Sequence, residues 1–161
     1  MEHVIENMER RKIANKKVKK IALRSSGNFY REVLEIQKEL HRMGYKTAIP
    51  HTARVMKKSG DFDISKHKTW HKDETTYKRK AFLMRLHFRK IVASDAILVV
   101  NLRKHEVEGY IGGNVLMEMA IAFFLKKPIF VLNDVSKDVS YHEEIIGMLP
   151  IFLKGDISKI K

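Results

Sequence analysis

Five short apolar runs, separated by stretches whose apolar residues recur at helical spacing, constrain the fold of this chain more than any other feature. They are KIALRS (20–25), YKTAIP (45–50), AILVVN (96–101), PIFVLN (128–133) and the edge segment Ile151 to Leu153. The runs are continuously apolar where half-exposed strands would alternate, so they read as strands covered on both faces, the condition of a parallel sheet. Between the first two, Phe29, Val33, Leu34, Ile36, Leu40 and Met43 fall on one helical face, and Gly44 supplies a left-handed stop. Tyr77 to Val92, the segment after Asn114 and Tyr141 to Met148 read as further helices. Strand and helix therefore alternate along the chain. That pattern predicts an α/β fold: a doubly wound five-stranded parallel sheet in a three-layer sandwich.

At 161 residues the chain suits one domain. A basic arm is expected at 1–18 and the domain at 19–161, with a basic, polar insert around 51–75 that reads as a long loop. Cysteine is absent, which removes disulfides, thiol nucleophiles and thiolate metal sites. The N-terminal stretch lacks the apolar core of a signal peptide, and the longest apolar run is too short for a membrane span, so a cytoplasmic protein with no membrane partner is expected. The formal net charge of +13 favours anionic partners. Nucleic acid, held by the arm and the insert, is one such partner.

In a doubly wound sheet, ligands sit beyond the carboxyl ends of the strands. This draws attention to Arg24, Ser25, Ser26 and Gly27 after the first strand, to Asn101 after the third, and to Gly112, Gly113 and Asn114 before the next helix. Within that helix, the run from Val115 to Leu125 carries one carboxylate, Glu118, among apolar neighbours. With Asn114 as N-cap, Glu118 lies one position beyond the capping-box site, so local capping does not account for it. A buried carboxylate costs desolvation unless it meets partners or a cleft, and this one lies near the ligand-binding edge. Glycines at 112 and 113 let a ligand approach the backbone.

The pattern SDAILVVN, a glycine-bearing loop, then NVLMEMAIAFFLKKPIFVLN resembles the nucleoside 2-deoxyribosyltransferase family and its nucleotide N-hydrolase relatives. The resemblance runs from about Lys20 to Pro150 and is most specific from Asp95 to Asn133. It implies a flavodoxin-like, oligomeric, cofactor-free enzyme, a homodimer or larger, that cleaves the bond between a base and a sugar. Glu118, followed by Met119, Ala120, Ile121 and Ala122, matches the family's nucleophilic glutamate, with alanine where the family motif has glycine. The aromatic expected within the first strand is missing from Ile21 to Ser25, the assisting aspartate is His87 here, and the transferases' second acid is Gly112.

The expected site is thus Glu118 and His87 as catalytic groups, with Arg24, Ser25, Ser26, Gly27, Asn101, Gly112, Gly113 and Asn114 around a nucleoside or nucleotide. His87 is the expected proton donor to the leaving base. The loop Arg24-Ser25-Ser26-Gly27 suits a phosphate but is not a P-loop, and IGGN is not a dinucleotide fingerprint. No cofactor and no metal are expected: His67 and His71 have the spacing of a metal pair without a third ligand. Trp70, among lysines, is either a stacking platform or an anchor for the insert. Two other functions fit the same residues: a non-catalytic nucleotide-sensing module, and a nucleic-acid-binding protein.

Overall fold

The computed structural model describes residues 17–161; the basic arm expected at 1–18 therefore lies outside the described residues apart from its last two. Of these, Val18 is buried in the core. Five strands, β1 (Lys20–Ser25), β2 (Lys46–Ala48), β3 (Ala96–Val100), β4 (Ile129–Val131) and β5 (Ile151–Phe152), form one sheet in the order β2-β1-β3-β4-β5. Every pairing is parallel, with Ile21 opposite Ala96 and Ser25 opposite Val100 at the centre. The helices are α1 (Tyr30–Arg42), α2 (His51–Ser59), α3 (Tyr77–Val92), α4 (Gly113–Phe124) and α5 (His142–Gly147). This is the flavodoxin-like three-layer arrangement.

The two-residue period of a strand sorts the core into two layers. Ile21, Leu23, Leu98 and Val100 face α1, against Val33 and Leu40. Ala22, Ile97 and Val99 face the other way, against Ile91 of α3, Met119 and Ala122 of α4 and Ile145 of α5. All of β3 is buried, and each fully covered branched side chain contributes about 1.5–3 kcal/mol of apolar burial. The parity has a further consequence. Arg24, two residues beyond Ala22, is carried onto the α3–α4 side at the carboxyl end of β1.

The insert is more ordered than its composition suggests. A loop was the expectation from His51 to Thr75, but its first nine residues form α2, which buries Thr52, Ala53 and Met56. Pro50 precedes the first turn and Gly60, at φ 73°, ends it with its N–H on the carbonyl of Met56, the usual proline-start, glycine-stop pairing. Three single-turn 3-10 segments follow, at Ile64–Lys66, Thr69–His71 and Glu74–Thr76, the first and last capped by Asp63 and Asp73. Ile64 packs so closely on the loop after β1 that a Cβ at Gly27 would lie 2.4 Å from its Cδ1. The insert is thereby folded down over the end of the sheet. Among the described residues, no helix is long and apolar enough to cross a membrane.

A cleft with a buried carboxylate

The strand order reverses between β1 and β3, and the loops leaving their carboxyl ends open a crevice there. Its volume is about 470 Å³, and Ser25, Ser26, Gly27, Gly112, Gly113 and Asn114 line it together with Lys68, Trp70 and Lys80. A smaller chamber of about 50 Å³ adjoins it, lined by apolar groups of α3 and α4 such as Leu83, Phe88 and Met117. Tyr30, Lys68, Trp70, Lys80, His87 and Glu118 border both. Trp70 is 7% exposed. It anchors the insert and walls the cleft at once.

Helix α4 starts earlier than expected. Gly112 is its N-cap and Asn114 its second residue, which corrects the assignment of Asn114 as cap and moves Glu118 further from any capping-box position. Val115, Glu118, Met119 and Ala122 form the helix's buried face, while Met117, Phe123 and Phe124 are exposed. The helix is thus apolar around most of its surface, and the described residues cover one side only. Glu118 lies on the covered side, 5% exposed.

Two groups, His87 and Arg24, meet at that carboxylate. His87 Nδ1 is 2.9 Å from Glu118 Oε1. On the far side of the ring, the backbone N–H of His51 points at Nε2 at 3.4 Å, which assigns Nε2 as acceptor and Nδ1–H as donor to Glu118. Arg24, fully buried, places Nε 3.9 Å from Glu118 Oε2 and donates from Nη2 to the carbonyl of His87 at 3.3 Å. Its Nε and Nη1 have no hydrogen-bond partner among the described residues. Burial lowers the proton affinity of Arg24, and Glu118 opposes that shift. Burial, and then Glu118, push the Tyr30 phenol above the usual tyrosine range, so a neutral phenol borders the same cleft as the carboxylate.

The residues expected from sequence separate into three groups. Glu118 and His87 are in contact, and Ser25, Ser26, Gly27, Gly112, Gly113 and Asn114 line the cleft. Arg24 lies beneath the wall, where it serves the carboxylate. Asn101 is fully buried and its amide is spent on the chain: Nδ2 donates to the carbonyls of Asn133 at 2.8 Å and Gly109 at 3.3 Å, and Oδ1 accepts the N–H of Asn133 at 2.9 Å. It fastens the ends of β3 and β4 and shapes the loop that follows.

Sequence reasoning missed Tyr30, Lys80, Lys104 and Tyr110. Tyr30 opens the helix after β1, so its place at the carboxyl edge was readable, and it supplies the cleft with an aromatic although none lies within β1. Lys104 and Tyr110 belong to a hairpin-like loop closed by the pairing of Lys104 with Val107, a turn with no glycine signal: His105 and Glu106 take φ values of 51° and 60° themselves. Lys104 Nζ reaches Ser26 Oγ at 3.0 Å across the cleft mouth. Among the described residues, no group of three or more histidines and carboxylates could hold a metal ion.

Fold and cleft together define an α/β protein of the flavodoxin-like class, with a ligand-sized crevice at its switch point and a partnered, buried carboxylate in the crevice wall. No known family model matches the chain, and no curated protein matches it.

Proposed function

We propose that the cleft binds a nucleoside or nucleotide and cleaves its N-glycosidic bond, with Glu118 as nucleophile. The observation that carries this reading is the carboxylate itself: it is buried beside Arg24, oriented by His87, and still borders the cavity. A carboxylate so placed suits a reaction in which positive charge develops at an anomeric carbon. Oε1 is occupied by His87, which leaves Oε2 to bond to carbon as the C–N bond breaks and its electron pair leaves with the base. Water then attacks the same carbon, frees Glu118 and gives up a proton. The resemblance to nucleoside 2-deoxyribosyltransferases and nucleotide N-hydrolases supports the same residue in the same role.

Both ring nitrogens of His87 are engaged within the protein, so His87 acts in this scheme as a positioning residue for Glu118, and the leaving base takes its proton from solvent in the open part of the cleft. A second reading has its own observation: among the described residues lining the cleft, Glu118 is the one carboxylate. A module that binds a nucleotide without cleaving it needs no more. Incubation with a panel of nucleosides and 5'-monophosphates, with and without an added base, separates the two: free or exchanged base supports the enzyme, and binding without any base release supports the module.

The exposed Met117, Phe123 and Phe124 of α4 and Tyr77, Phe82 and Val92 of α3 support a homo-oligomer that covers this side.

A further inference from the structure

Three lysines from three elements converge on the cleft. Lys68 comes from the insert, Lys80 from the first turn of α3, and Lys104 from the loop after β3. No carboxylate pairs with any of them among the described residues, although lysines elsewhere do find acids: Lys38 meets Glu35 at 2.8 Å and Lys154 meets Asp134 at 2.6 Å. What holds two of them in place is neutral. Lys104 donates to Ser26 and lies 4.9 Å from the centre of the Tyr110 ring; Lys80 lies 5.8 Å from that of Trp70. They also feel one another. Burial lowers the proton affinity of Lys68 and Lys80 lowers it further, while Lys104 is lowered by burial and then by Lys68. Like charges gathered without a counterion are relieved when an anion enters.

The charge balance indicates which anion. Glu118 is offset by Arg24 beneath it, which leaves three ammonium groups uncompensated. A phosphate monoester brings about −1.5 to −2 at neutral pH, too little for three, whereas each further phosphate in a chain adds one ionised oxygen. The cavity of about 470 Å³ has the size of a small-molecule site. We propose that Lys68, Lys80 and Lys104 form a polyanion subsite that takes the diphosphate or triphosphate chain of a nucleotide beside Glu118. The nucleotide rests on the function proposed above; the subsite itself is tested without it.

The test is calorimetric titration of the full chain at constant ionic strength with inorganic phosphate, pyrophosphate and tripolyphosphate, then with a nucleoside and its 5'-mono-, di- and triphosphates. Pyrophosphate should bind about tenfold tighter than phosphate. That advantage should vanish in Lys68→Ala/Lys104→Ala, survive in Lys68→Arg/Lys104→Arg, and be unaltered in Lys154→Ala. Equal affinity for phosphate and pyrophosphate overturns the proposal, as does wild-type pyrophosphate binding by a folded Lys68→Ala/Lys104→Ala protein. A single-stranded oligonucleotide that binds more tightly than any nucleotide, and weakens with the same variant, overturns it in favour of nucleic acid. Pyrophosphate binding without base release would leave the subsite standing and remove the glycosidic reading; base release indifferent to phosphate number would do the reverse.

Discussion

His87 Nδ1 and Glu118 Oε1 are 2.9 Å apart, and the backbone N–H of His51 faces the other ring nitrogen. The imidazole thus bridges the start of α2 to the carboxylate of α4, and any movement of the insert is felt at Glu118. If His87 positions the carboxylate, His87→Ala should lower kcat for base release about a hundredfold, the scale of a lost orienting hydrogen bond, with KM little changed. His87→Asn, which keeps a donor near the place of Nδ1, should recover part of that loss. A KM increase with kcat intact would assign His87 to substrate binding instead.

Glu118→Gln keeps the size and hydrogen-bonding capacity of the side chain and removes the nucleophile. Base release should fall by roughly 10⁴ or more, as for nucleophile losses elsewhere, with thermal unfolding checked in parallel. Retained turnover by the folded variant would end the assignment of Glu118.

Arg24 and Glu118 form a buried pair, and removing one partner strands the other. Arg24→Met should destabilise the fold by about 3–5 kcal/mol in urea unfolding, because an uncompensated carboxylate remains at a buried position. Adding Glu118→Gln should return much of that loss, so the double-mutant cycle gives a coupling well above the scatter of independent sites. Additive losses would mean that the separation of 3.9 Å carries little energy.

The two kinds of signal in this chain differ in how far they reach. Strand–helix alternation, covered faces and the placement of Glu118 were legible, because continuous apolar runs and a helical period report directly on burial, and the carboxyl edge of a parallel sheet follows from topology. Helix α2 was hidden by composition: Arg54, Lys57 and Lys58 surround its two buried apolar residues, Ala53 and Met56, although Pro50 and Gly60 bracketed it. Asn101 showed its chemistry but not its partners, since the residues that consume its amide, Gly109 and Asn133, lie on loops whose approach is set by tertiary packing. The convergence of Lys68, Lys80 and Lys104 was illegible for the same reason. It depends on Ile64 seating the insert on Gly27 and on a turn at His105 and Glu106 built without glycine.

Lys90 supplies a pH dependence with a definite sign. Half-buried, it donates to the carbonyl of Ile49 at 2.7 Å, and burial, followed by Arg24 and Arg54, lowers its pKa from 10.5 to about 8. The unfolded chain therefore binds more protons than the folded one between about pH 8 and 10.5, so this group makes the fold more stable as pH rises through that window. Solvent access discounts the effect to on the order of 1 kcal/mol. Urea unfolding at several pH values from 7.5 to about 9.5, below the range where tyrosines ionise, should show a steeper rise for the wild type than for Lys90→Met. Parallel slopes would show that Lys90 titrates normally.

Gly113 tests whether a ligand uses the approach that the glycines leave open. A Cβ at this position meets no atom within 4 Å and its φ is not positive, whereas at Gly109, with φ 61°, a Cβ would lie 1.9 Å from the carbonyl oxygen of Asp134. Gly109→Ala should therefore damage the fold by several kcal/mol. Gly113→Ala should leave thermal stability unchanged or raise it by about 0.4–1 kcal/mol through reduced freedom of the unfolded chain. The added methyl still enters the cleft wall at the first turn of α4. If a nucleotide lies against that backbone, its affinity should drop several-fold in a protein whose melting temperature has not fallen. Undiminished affinity would place the ligand away from Gly113, toward Trp70 and Lys80.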